Sequence, residues 1–149
     1  MNLSPHFTLA ELTRTSSGHP NQPGTTELAA LTQLCTELLE PLRVLWGGPI
    51  KINSGFRSQA VNRAIGGAKG SQHLKGEAAD VVPPIPAEEA MKRLNSAVQA
   101  GQFPGLGQAI VYRSGFLHIS IDRNRAPRRQ FLRSDAAGGS GGPYRAWVP

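Results

Sequence analysis

Six leucines spaced by three or four residues constrain the fold more than any other feature of the chain. Leu28, Leu31, Leu34, Leu38, Leu42 and Leu45 fall on one face at 3.6 residues per turn, so residues 26–46 are expected to form the amphipathic helix that organises the core. Pro41 removes one helical donor and should kink that helix or divide it. Gly47 and Gly48 should stop it. Cys35 lies among the leucines and reads as a buried thiol; as the single cysteine it permits neither an intrachain disulfide nor a cysteine-based metal cluster.

Shorter signals place the other elements. Thr8 followed by Glu11 is a capping box flanked by Phe7 and Leu12, which predicts a short helix from Leu9 to about Arg14. Residues 15–24 read as a loop or strap. The alternation of residues 49–54 predicts a strand, Ser58 caps a short helix through Ile65, and residues 78–82 read as a buried strand. Acids in the first turn suit a helix over residues 88–100. Strands follow at 108–112 and 116–121, joined by a turn at Arg113, Ser114 and Gly115. Residues 136–142 are Gly-rich and expected to be mobile. Helices and strands do not alternate regularly, which predicts an α+β fold, a small antiparallel β-sheet packed against helices. At 149 residues, one domain is expected, over residues 1–133, followed by a Gly-rich C-terminal tail at 134–149.

Charge and termini exclude several classes. No apolar stretch approaches the roughly 18 residues of a membrane span. The opening MNLSPHFTLAEL has no basic n-region and no long apolar run, so no secretory signal is expected. Net charge is +6, with Arg123, Arg125, Arg128, Arg129 and Arg133 in one stretch. Such a run can attract polyanions, although a solvated basic face is the plainer reading. No nucleic-acid-binding motif accompanies it, so no specific nucleic-acid partner is expected.

Residues 71–80 carry the chemistry. They place an imidazole, His73, and a carboxylate, Asp80, on either side of Gly76, with Ala78 and Ala79 leaving room for close backbone packing. Both side chains are good zinc ligands, and a third histidine would leave one position open for water. His118 supplies it: strand alternation sets it on the face opposite Leu117, Ile119 and Ile121. On spacing alone, His73 and His118 read equally well as ordinary hydrogen-bonded histidines.

The pattern S-x-H-x-x-G-x-A-x-D, preceded by Ser54-Gly55-Phe56-Arg57-Ser58 and followed by a histidine on a strand, resembles the zinc D-Ala-D-Ala carboxypeptidase family. That family includes D,D-dipeptidases, phage L-Ala-D-Glu endopeptidases and Hedgehog-like domains. The resemblance runs from about Leu3 to Ser120 and is similar to the compact phage or prophage members, whose chains begin with a segment like HFTLAELTR. It implies a Hedgehog/DD-peptidase-like fold with a zinc cleft, Zn2+ as cofactor, and His73, Asp80 and His118 as its ligands. Ser71 would donate a hydrogen bond near the substrate, and Arg57 would steady the scissile carbonyl or a substrate carboxylate. Gln72 is a further candidate substrate contact, although it and Asn62 read more readily as amides that order loops.

One departure concerns the general base. Many family members carry an acid three residues before the last histidine ligand, where this chain has Gly115, and six before it stands Tyr112. Glu77, Asp122 and Tyr112 are the candidate replacements. The implied function is a zinc metallopeptidase, carboxypeptidase- or endopeptidase-like, that hydrolyses a bond in peptidoglycan stem peptides or cross-links. It would be made in the cytoplasm and reach the wall by phage-type release or as a virion component, serving lysis, entry or wall remodelling. The alternative is a zinc-stabilised, non-catalytic binding or structural module of a phage particle.

Overall fold

The computed structural model describes residues 1–149, and its first helix starts where the capping box places it. The Glu11 N–H donates to Thr8 Oγ1 at 3.2 Å, and the Thr8 N–H donates to Glu11 Oε1 at 3.1 Å, opening α1 (Leu9–Thr13). Ahead of it, β1 (Asn2–Ser4) and β2 (Phe7–Thr8) form a two-stranded antiparallel ribbon, too short for sequence alternation to reveal.

The leucine-rich segment forms one continuous rod: α2 (Thr25–Leu34), a π-helical stretch (Cys35–Leu39) and α3 (Glu40–Trp46). Pro41 neither breaks nor divides it. The wider turn, with the Glu40 N–H donating to the Cys35 carbonyl, falls immediately before the proline and accommodates its missing donor. Gly47 closes the rod in the left-handed conformation at φ 78°. Leu31, Leu34, Cys35, Leu38, Leu39, Leu42 and Trp46 are buried in the main core. Burial pushes the Cys35 thiol up to about 12, with Glu40 and Glu11 adding to the shift, which makes it a packing residue rather than a nucleophile.

Six strands make the main sheet: β3 (Lys51–Ser54), β4 (Ala78–Val82), β5 (Leu106–Val111), β6 (Leu117–Ile121), β7 (Gln130–Ser134) and β8 (Tyr144–Ala146). Their order is β3-β4-β6-β5-β7-β8. All neighbours are antiparallel except β5 and β7, which are parallel. The class is α+β as expected, but the sheet is larger and mixed. Within the segment read as a Gly-rich tail, β8 pairs with β7, and Trp147 is buried with its Nε1–H donating to Glu88 at 3.0 Å.

The sheet has two unlike faces. Ala79, Val81, Ala109, Val111, Leu117, Ile119 and Ile121 join the helical core, which includes Ala90, Met91 and Leu94 of α5 (Ala87–Gln99). Alternation sends Asp80, Ile110, Tyr112, His118, Leu132 and Tyr144 to the other face, where they line an open cleft. A 3₁₀ turn (Gln72–Lys75), capped by Ser71, lines that cleft, and Gly66 and Gly67, which follow the Ser58-capped α4 (Gln59–Ala64), line it too. Gly76 ends the 3₁₀ turn at φ 74°, and a Cβ there would lie 2.5 Å from the Glu27 carbonyl oxygen, so only glycine fits against α2.

Candidate metal centre and substrate cleft

The antiparallel register of β4 and β6 sets Asp80 directly opposite His118, and the 3₁₀ turn brings His73 to the same point. Asp80 Oδ1 is 3.3 Å from His73 Nε2 and 3.1 Å from His118 Nδ1. The three donor atoms lie within 4.8 Å of one another, a group that can hold a metal ion. A tetrahedral site with metal–ligand bonds of about 2.0–2.1 Å has ligand–ligand edges of about 3.3 Å, so the two contacts at Asp80 fit such a site. His73 is fixed on its other side. Its Nδ1 lies 2.7 Å from the Gly55 carbonyl oxygen, which requires the proton on Nδ1 and leaves Nε2 bare for a metal.

The electrostatics agree with that donor set. Burial acts to raise the Asp80 pKa, but its contacts with His118 and His73 outweigh it and hold the carboxyl well below its usual range. Burial also lowers the pKa of His118, and His73 adds to the effect while the Asp80 hydrogen bond opposes it. Ionised carboxylate and neutral imidazole are the forms that ligate metals.

Arg57 braces this group. Its Nη2 donates to Asp80 Oδ2 at 3.2 Å, Nη1 to Asn62 Oδ1 at 3.2 Å and Nε to Ser54 Oγ at 3.1 Å. Those bonds occupy three of five N–H donors and leave two without a protein partner on a residue that lines the cleft. Asn62 in turn donates to the Ala68 carbonyl, so it orders the loop rather than the substrate. Sequence reading did not single out Asn21, in the 15–24 strap. Its side chain donates to the Phe56 carbonyl at 2.9 Å and accepts from the Ser58 N–H at 2.7 Å, gripping the backbone on both sides of Arg57.

The other candidates divide between the two ends of a cleft of about 820 Å³. Ser71 lies beside the metal group, and its Oγ accepts from the His73 N–H at 3.2 Å, leaving its own proton free to donate. Gln72 points into a polar network: its Nε2 donates to Glu77, to the Ile121 carbonyl and to Asp122, and its Oε1 accepts from Arg128 at 2.9 Å. Asp122 is buried and takes two Arg128 side-chain donors at 2.9 and 3.0 Å, which commits its lone pairs. Glu77 is also buried, lines the cleft, and accepts only from Gln72, at 3.3 Å.

At the opposite end, Tyr112 stacks on Phe116 at a centroid distance of 4.4 Å, and its hydroxyl lies 3.1 Å from that of Tyr144. Burial, then the Tyr144 hydrogen bond, raises the Tyr112 pKa far above its ordinary value. The phenol therefore stays protonated and serves as a hydrogen-bond donor, not as a proton acceptor. Gly115 sits at the tip of the β5–β6 hairpin at φ 96°, outside the cleft lining. A carboxylate side chain at that position would be strained.

Comparison with known proteins agrees with this geometry. The family model described as Peptidase M15 matches residues 5–120, a stretch that contains Arg57, His73, Asp80 and His118. The zinc D-Ala-D-Ala carboxypeptidase of Streptomyces albus G is 38% identical over 78 residues, covering 51% of this chain. The matched stretch is 31% of that relative's length, so the similarity spans about a third of it. Since the family model covers most of the sequence, this chain belongs to the peptidase M15 family.

Proposed function

We propose that the chain is a zinc peptidase acting on peptidoglycan stem peptides or cross-links, with His73, Asp80 and His118 as the metal ligands. The observation that carries this reading is the convergence of His73 Nε2, Asp80 Oδ1 and His118 Nδ1 within 4.8 Å of one another, all three residues lining an open cleft. Zinc held there supplies a Lewis acid and lowers the pKa of a water to about 7. The remaining work falls to the chain's own side chains.

His73 is oriented by the Gly55 carbonyl and Asp80 by Arg57, so two ligands are set before any metal arrives. The two unused Arg57 N–H groups stabilise negative charge that develops on the scissile carbonyl oxygen. The free Ser71 hydroxyl donates to the peptide. Glu77, with one long hydrogen bond and a place in the cleft wall, is the acid we assign to take up the proton, since Asp122 is occupied and Tyr112 is protonated. The cleft is open along the sheet, which suits wall remodelling, phage lysis or virion entry, where the substrate is a polymer rather than a free dipeptide.

One observation favours a second reading. With Gly115 in a glycine-only conformation outside the cleft, the acid at the position many family members use is absent, as it would be in a zinc-stabilised binding module. Incubating the zinc-loaded protein with purified walls and assaying newly exposed amino groups separates the two. Time-dependent release of amines supports the peptidase; binding to walls with no release supports the module.

A further inference from the structure

We infer that the cleft carries a carboxylate-binding subsite, distinct from the metal group and formed by Lys75, Arg123 and Arg125 over an Arg128 base. This rests on the peptidase reading and names the substrate feature that the same cleft selects.

The basic run of residues 123–133 does not form one continuous face. Arg133 pairs with Glu88 and Arg129 donates to the Pro104 carbonyl, both away from the cleft. Arg123, Arg125 and Arg128 line the cleft together with Lys75. Arg128 is fixed by Asp122 and Gln72 and anchors the loop that follows β6. The remaining three cations have no carboxylate partner: Arg123 donates only to the Gln33 amide oxygen, and Lys75 and Arg125 make no ion pair or side-chain hydrogen bond. Glu77 is the one acid at this end not already paired with a cation, so the three free charges exceed it.

A long polyanion needs an extended stripe of charge, whereas this arrangement is a discrete patch walled by one loop and one 3₁₀ turn. A single carboxylate fits it better, because Arg and Lys hydrogen-bond carboxylate oxygens with charge assistance. The strand register places the patch. Ala78 pairs with Ser120 and Asp80 with His118, so Lys75 and Arg123 lie beyond the end of β6 that is away from Tyr112. Asp122 lies four residue steps beyond His118, roughly 13 Å along a strand. An extended substrate with its scissile bond at the metal group therefore presents to the patch a carboxylate roughly two to four residues away. The opposite end, lined by Tyr112 and Tyr144, offers hydroxyls and aromatic surface, and the cleft-lining cation nearest to it, Arg57, is already paired with Asp80. The cleft thereby imposes one direction on the bound peptide.

The test uses pairs of muropeptides that differ only in a stem-peptide carboxylate or its carboxamide, measured by calorimetric binding to the zinc-loaded protein and, separately, by cleavage. The acid form should bind about ten-fold more tightly or better. In a Lys75→Gln, Arg125→Gln double variant, both at exposed positions, that preference should fall towards unity, with the change in KM rather than kcat. Equal binding of acid and amide by the unaltered protein overturns the subsite, even where both are cleaved. A preference for inorganic polyphosphate over the short acidic peptides also overturns it, in favour of a polyanion surface. Acid preference that vanishes in the double variant, without cleavage of either peptide, upholds the subsite and removes the peptidase reading instead.

Discussion

Asp80 has three polar partners, and each constrains a different consequence. His73 and His118 meet one carboxylate oxygen and Arg57 meets the other, so the arginine acts on the metal group through Asp80 and on the substrate through its free donors. Arg57→Ala should therefore do more than remove an oxyanion contact. It should weaken zinc binding by about 10–100-fold, the usual effect of losing a partner that orients a ligand. At saturating zinc, kcat for wall peptides should still fall by about 10²–10³-fold. Competitive zinc titration against a chromophoric chelator, followed by kinetics at saturating metal, checks both. Unchanged zinc affinity would show that Asp80 is oriented without Arg57.

At the scale of elements, the strap at residues 15–24 is the piece that gives the site its rigidity. Asn21 bonds the backbone on both sides of Arg57, and the Ser58 hydroxyl donates to the Pro20 carbonyl at 2.8 Å. Asn21→Ala leaves those backbone groups without their partners, at a cost of about 1–3 kcal/mol in stability. It should also lower kcat with little change in KM, because the Arg57 loop loosens while the cleft surface stays intact. Thermal melts with steady-state kinetics measure the pair, and wild-type kinetics in a destabilised variant would remove Asn21 from the positioning of Arg57. Local signals of this kind differ in how far a sequence exposes them. The Thr8–Glu11 box and the Ser58 cap were legible because each is complete within four residues. His73, Asp80 and His118 were named as a set through the family resemblance, since spacing alone left the two histidines open, and the register of β4 and β6 is what brings their side chains together. Asn21, Arg128 and Tyr144 were not legible, since each reaches the site across long sequence separations. Three-residue strands such as β1 and β8 carry no period at all, and the π-helical turn before Pro41 answers a steric demand that leucine spacing does not record.

For the whole molecule, paired carboxylates tie distant parts of the chain together. Burial opposes ionisation of Asp122, Glu88 and Glu40, yet hydrogen bonds from Arg128, from Trp147 and Arg133, and from Ser4 and His6 hold each pKa below its ordinary value. A carboxylate depressed in the folded state stabilises fully above its unfolded pKa of about 4 and loses that contribution as pH falls through the lower folded value. The melting temperature of the metal-free protein should thus drop steeply as pH falls below about 4, with a shallower drop in Asp122→Asn. A flat profile down to pH 2 would mean that these pairs do not link the termini, the sheet and the helical rod as described. No helix is long and apolar enough to cross a membrane. The most direct measurement of the central claim is mass spectrometry of muropeptides after incubation with the zinc-loaded protein and, in parallel, with His118→Ala. The wild type should bind one zinc and convert stem peptides or cross-links to smaller products, while the variant stays folded, binds no zinc and leaves the digest unchanged. Zinc retained at full stoichiometry in the variant, or identical muropeptide profiles with and without the zinc-loaded wild type, would contradict the account.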